Sequence, residues 1–207
     1  MKKILLTLMI VLLAGLAAQA ATRYEINVGG VEVTTDNCNN VTGGDIESGT
    51  VKYNSTTNVL TLTNVTIKRN SGSGNFALHN RSCAGLRVKF VGDNYLYSKD
   101  GPAIKVNEDC GLILVFDGGE NTIVSDNNDA FFVQSKSYYS ISLEGYGHVN
   151  VTSNKTYGLR NDGFSYVHFG SYDNITLNVD VYGPKGAIKW NGAVGFRHQC
   201  VVKLKAT

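Results

Sequence analysis

The side chains most able to do chemistry in this sequence are acids and aromatic rings set in short, strand-like segments. Asp117, Glu120, Asp126, Asp129 and Glu144, with Arg160, Asp162 and Lys185 further on, are the groups from which a glycan-cleaving site would be assembled. That chemistry needs clustered carboxylates, often a Ca²⁺ ion, and a basic residue in one groove. Asp117 and Glu120, however, flank Gly118-Gly119, and Asp126 and Asp129 frame Asn127-Asn128. Tight turns select Asp and Asn for their own reasons, so turn chemistry accounts for these acids without a reaction. No paired-carboxylate motif, Ser/His/Asp arrangement or repeated Asp loop accompanies them. The expectation is no catalytic residue, no metal and no cofactor.

The aromatic rings make the stronger case. Tyr95 and Tyr97 alternate with Leu96, so an inward leucine turns both rings outward. Phe132 lies between Phe131 and Val133 in the same way, and Tyr138-Tyr139 follow in the next turn. Tyr95, Tyr97, Phe132, Tyr138 and Tyr139 are therefore the candidate ligand-binding residues. Tyr146, Tyr157, Tyr166, Tyr172 and Tyr182 add to a tyrosine-rich second half. Flat rings on a rigid sheet are what a sugar polymer or a partner protein stacks against. The plainer reading is that Tyr is simply a good strand residue. Trp190 points inward by register and reads as core.

These rings ride on a repeat. FALHN (76–80), AIKVN (103–107), AFFVQ (130–134), YGLRN (157–161) and AIKWN (187–191) place amides at Asn80, Asn107, Gln134, Asn161 and Asn191. The first three steps of this series are equal and the last is slightly longer. Gly92, Gly118, Gly145 and Gly170 keep a similar step and close strand-like runs such as LRVKFVG and LILVFDG. A repeat of this length built from short strands signals a solenoid, whose units cannot bury their faces alone. Each unit holds three apolar-alternating segments: Leu86, Val88 and Phe90, then Leu96, then Ile104 and Val106. The expected fold is all-β, a right-handed parallel β-helix of about five coils. Ile113 and Val115 fall on its outer face, as an interaction patch or beneath a covering segment.

Stacked coils would lie about 4.8 Å apart, so the five amides are expected to form an asparagine ladder that stabilises the bend, not a ligand groove. Cys83 and Cys110 both precede the first strand of their coil, one full repeat apart, and are expected to form a disulfide. Cys38 and Cys200 lie near opposite ends and read as free thiols. No CxxC or Cys/His spacing suggests a metal.

The chain begins with Lys2-Lys3, an apolar run and Ala18-Gln19-Ala20, the pattern of a cleaved export signal over 1–20. Residues 21–48 read as a capping hairpin, turning at Gly29-Gly30, and a loop. Residues 49–207 carry the repeats. Here YEINVGGVEVT (24–34) and GTVKYNSTTNVLTLTNVTI (49–67), with the downstream units, resemble a family of secreted bacterial β-helix proteins often labelled carbohydrate-binding-domain proteins. The resemblance implies the fold, and a glycan or cell-surface polymer as ligand; it brings no catalytic signature. The whole chain has 19 Lys and Arg against 17 Asp and Glu, and removing the signal's two lysines leaves no net charge. That excludes a nucleic-acid partner and a polybasic membrane mode. No membrane span is expected after signal cleavage. The expected location is the periplasm, cell surface or exterior, and the expected role is non-enzymatic binding or adhesion. A protein–protein or structural surface is the alternative, then a small polysaccharide lyase or glycosidase.

Overall fold

The structure, a computed structural model, describes residues 20–70, 74–108, 110–134, 140–170, 176–197 and 200–206. All its regular elements there are strands, wound into a parallel β-solenoid. Each coil has three walls. The first two are often single bent strands, namely β4 (Val59–Arg69), β9 (Leu112–Ser125) and β11 (Ser140–Ser153). Elsewhere they separate, into β6 (Leu86–Val91) then β7 (Asn94–Ser98), and β13 (Tyr166–Phe169) then β14 (Leu177–Tyr182). The last pair is β16 (Val194–Phe196) and β17 (Cys200–Lys205). The third wall stacks β5 (Leu78–Asn80), β8 (Ile104–Val106), β10 (Phe131–Val133), β12 (Tyr157–Asn161) and β15 (Gly186–Lys189) in parallel.

Alternation builds the core. Leu86, Val88 and Phe90 lie in register with Leu112, Leu114 and Phe116, all essentially buried. Leu78, Ile104, Phe131 and Leu159 do the same on the third wall. Each such side chain contributes roughly 1.5–3 kcal/mol by leaving water, and each does so only because the next coil covers it. The Phe90 and Phe116 rings stack at 4.9 Å.

The glycine marker is the corner between the first and second walls. Asn64, Gly92, Gly118, Gly145 and Gly170 all have positive φ, the left-handed conformation that bends the chain there. At Gly145 a Cβ would sit 1.9 Å from the Phe116 carbonyl oxygen.

The N-terminal end is closed by antiparallel pairing. β1 (Arg23–Val28) and β2 (Val31–Thr34) form the expected hairpin, and Gly29 and Gly30 have the positive φ its turn requires. β1 also runs antiparallel to β5, and β3 (Ile46–Asn54) antiparallel to β4. The antiparallel cap thus continues through Asn54, past the boundary expected at 48. Since that segment adds no parallel rung, the five parallel strands of the third wall make about four turns instead of about five.

Candidate functional site

Tyr95 and Tyr97 stand on the outside of the second wall, half-buried, with ring centroids 6.4 Å apart and planes within 7° of parallel. The sequence sets this up directly, because Leu96 between them is fully buried. Tyr97 donates its hydroxyl to Asp126 Oδ2 at 2.5 Å. That hydrogen bond, with desolvation, pushes the phenol up to about 12. Asp126 in turn accepts from Asn154 Nδ2 at 2.8 Å, so the ring is held from the next two coils.

Register extends this pair into a strip. Outward positions follow Tyr97 through Val124, Thr152 and Tyr182 to Lys205. A second file follows Tyr95 through Thr122, Asn150 and Asp180 to Lys203. At about 4.8 Å per rung, Tyr97 and Tyr182 lie about 14 Å apart along the axis and the whole strip spans about 19 Å. Between the tyrosines the side chains are short: Thr122, Val124, Asn150 and Thr152. At the far end a hollow of about 240 Å³ is lined by Asn150, Thr152, Asp180, Val181, Tyr182, Lys203 and Lys205. Asp180 there meets His148 Nε2 at 3.1 Å and Lys203 Nζ at 3.7 Å. The strip thus offers ring faces, hydroxyls, an amide and lysines on a backbone fixed on both sides. Its second half escaped sequence reasoning, because coil lengths drift and Tyr182 keeps no constant spacing from Tyr97.

Phe132 does point outward, but from the third wall, a different face. There it lies beneath the Arg160 guanidinium, 4.7 Å from its centroid, in a file with His79, Lys105 and Lys189. Desolvation lowers the His79 pKa, and its Nε2 faces Asn107 Oδ1 at 2.9 Å. Tyr138 and Tyr139 lie outside the described residues. The candidate rings are therefore not one cluster.

The acids are held by basic side chains, some of which they share. Asp117 pairs with Lys89 at 2.7 Å, which with the Tyr146 hydroxyl holds its carboxyl below the usual range. Glu144 meets Arg197 at 2.9 Å, and Glu120 meets His148 Nδ1 at 2.9 Å. Asp129 is buried against Arg160, which also holds Asp162. Among the described residues no three His, Cys, Asp or Glu side chains converge as a metal requires. No helix among them is long and apolar enough to cross a membrane.

The amide ladder is redistributed. Leu78, Ile104, Phe131, Leu159 and Ile188 are in register, so each successive turn of the third wall is one position longer than the turn before it. Asn80 therefore pairs with Val106, and Val133 with Asn161. Asn107 and Gln134 fall one position later, and Asn191 is exposed. Asn80 and Asn161 are buried and clamp their own turns, through Cys83 N and O and through Gly163 N and O.

Stacked polar rungs occur elsewhere. Asn94 Nδ2 donates to Asn121 Oδ1 at 3.0 Å, both buried. Ser98, Ser125 and Ser153 are in register at the next corner and fully buried. Each hydroxyl donates to a turn carbonyl, of Asn75, Gly101 and Asn128 respectively, at 2.7–2.8 Å.

The expected Cys83–Cys110 disulfide is absent, and none of the four cysteines is in a disulfide. Leu86 aligns with Leu112, yet Cys83 stands three positions before the first and Cys110 only two before the second. That offset of one position separates the sulfurs. Cys83 Sγ instead donates to Asn58 Oδ1 at 3.1 Å and lies 3.9 Å from the Tyr53 hydroxyl, while Cys110 is buried. No protein-family model matches this chain, and neither a curated protein nor a solved structure does.

Proposed function

We propose that this protein is an exported, non-enzymatic binding module that holds a glycan or cell-surface polymer along the outer face of its second wall. The observation that carries the reading is the pair of near-parallel outward rings of Tyr95 and Tyr97, in file with Tyr182. A pyranose ring has an apolar face that stacks on tyrosine, and hydroxyls that Asn150, Thr152 and Asp180 can bond. Rings about 14 Å apart with short, mostly polar side chains between them suit a linear chain lying along the axis, not a compact ligand. The rigidity of the sheet limits the ordering cost of binding. Export through residues 1–20 would place the strip where such polymers occur.

The test is a glycan array probed with residues 21–207. Binding to one polymer class, reduced in Tyr97→Ala and Tyr182→Ala while both variants still fold, is the expected result; only Tyr97→Ala, which loses the bond to Asp126, should also lower the melting temperature. Release of shorter products from a bound polymer would instead favour an enzyme.

A protein-interaction role has one observation of its own. At the C-terminal end the inward-register residues Phe196 and Leu204 are 59% and 51% exposed, beside Val194 and Val201. Exposed apolar side chains of this kind can receive another polypeptide. Capture of a protein partner with a blank array would favour that reading.

A further inference from the structure

Outside the strip, one recess combines an aromatic wall with polar groups that the fold leaves unused. It lies at the corner between the second and third walls, has a volume of about 290 Å³, and is lined by Gly74, Asn75, Phe76, Asp100, Gly101, Pro102 and Asn128. These residues come from turns of successive coils, and the buried serine file holds them from beneath. Ser98 Oγ bonds the Asn75 carbonyl, and Ser125 Oγ the Gly101 carbonyl, both at 2.8 Å. Gly101 is packed so closely that a Cβ on it would lie 2.0 Å from the Asn75 oxygen. The recess is thus preformed, as small-ligand sites usually are.

Asn75 is the unusual member. It is 2% exposed, and neither Oδ1 nor Nδ2 has a hydrogen-bond partner. Buried amides are nearly always bonded, because an unmet donor and acceptor both oppose folding. The neighbouring amides obey the rule: Asn127 Nδ2 donates to Asp100 Oδ1 at 3.1 Å, and Asn128 Oδ1 accepts from Asp129 N at 2.9 Å. Asn75 alone among the recess side chains keeps both a donor and an acceptor unspent. A hydroxyl group satisfies both at once, since it donates and accepts. Because the amide is covered, it would meet a ligand hydroxyl by turning its side chain into the recess, a movement that breaks no hydrogen bond.

The remaining lining narrows the class. Phe76 presents a half-buried ring, with the Lys105 ammonium 5.1 Å from its centroid and His79 at 4.6 Å. Exposed Asp100 supplies a carboxylate that takes hydroxyl donors and repels anions. Asp126, which holds Tyr97, lies in the adjoining turn, so the recess opens beside the upper end of the strip.

We infer that this corner recess is a second binding site, taking a single neutral hydroxylated ring, a terminal sugar residue, with one hydroxyl on the Asn75 amide. The choice of ligand rests on the glycan reading above; the site itself rests on the recess.

The test is a ¹⁵N-resolved NMR titration of residues 21–207 with glucose, galactose, mannose and N-acetylglucosamine in turn, run beside the array. One of these sugars should shift the amides of Asn75, Phe76 and Gly101. Asn75→Ala should weaken that binding about tenfold, 1.4 kcal/mol, without lowering the melting temperature, since the amide bonds nothing in the free protein. Asp100→Asn should weaken it too. Shifts confined to Tyr95, Tyr97 or Tyr182 would overturn the recess and leave the glycan reading standing. So would polymer binding on the array that Asn75→Ala leaves unchanged, with no sugar shifting the recess. A melting temperature lowered by Asn75→Ala with unchanged affinity would make the amide structural. Silence from every sugar and every polymer would remove both.

Discussion

Replacing Ser125 by Ala tests whether the buried serine file holds the corner on which the strip and the recess both depend. The hydroxyl is fully buried, donates to Gly101 O at 2.8 Å and accepts from Asn128 N at 3.1 Å. Alanine fills nearly the same space, so the loss is the two hydrogen bonds and not packing. A buried partner left unmet costs about 1–3 kcal/mol. Asn128 is half-buried and regains part of its bond from water, which brings the expected total to about 2–3 kcal/mol. Urea unfolding of residues 21–207 should show that loss at unchanged m-value, with a melting temperature lower by about 4–12 °C. Thr122→Ala, on the outer face of the same strand, is the control and should stay within about 0.5 kcal/mol. If Ser125→Ala also stayed within about 0.5 kcal/mol, the serine file would be an incidental feature of the turns.

Arg160→Met should cost about 3–5 kcal/mol, because it strands the buried Asp129 carboxylate without its cation; chemical denaturation reads this, and Asp162→Asn should cost far less. Alkylation under native and unfolding conditions followed by mass spectrometry should find no Cys83–Cys110 cross-link, with Cys83 reacting before the buried Cys110; a Cys83–Cys110 peptide pair would contradict the register. Difference titration of wild type against Tyr97→Phe should isolate a phenol ionising near pH 12. The sign follows from a folded pKa above the unfolded value of about 10: the Tyr97–Asp126 bond stabilises fully below pH 10 and is lost as pH rises through about 12. A Tyr97 midpoint near 10 would mean the bond is not formed in solution.

The fold was written plainly in the chain, and its details less so. Alternation in LRVKFVG and LILVFDG and the recurrent glycines were enough for the solenoid, because burial of period-two faces and left-handed corners leave direct marks on residue type. The hairpin at Gly29-Gly30 was equally direct. The amide spacing misled because its even step is only an average: along the third wall the coils lengthen by one position at every turn. A shift of a single position moves a side chain to the opposite face, which separated Asn80 from Asn107 and Cys83 from Cys110. The Asn94–Asn121 and Ser98–Ser125 rungs kept the step of the amide series and were readable, but Asn and Ser are so common in the turns that they did not stand out. Tyr95 and Tyr97 were found because their alternation with Leu96 is local. Tyr182 joins them only through three inter-coil registers, which no short window contains.

The most direct test of the binding strip is a glycan array with residues 21–207, followed by calorimetry on the best polymer with Tyr97→Ala and Tyr182→Ala. The account predicts one polymer class bound without being cleaved. Each variant should weaken it about tenfold or more, consistent with roughly 1–3 kcal/mol for a lost ring contact, while both still unfold cooperatively and Tyr182→Ala unfolds as wild type does. Undiminished binding in both variants, or no glycan bound at all, would contradict it.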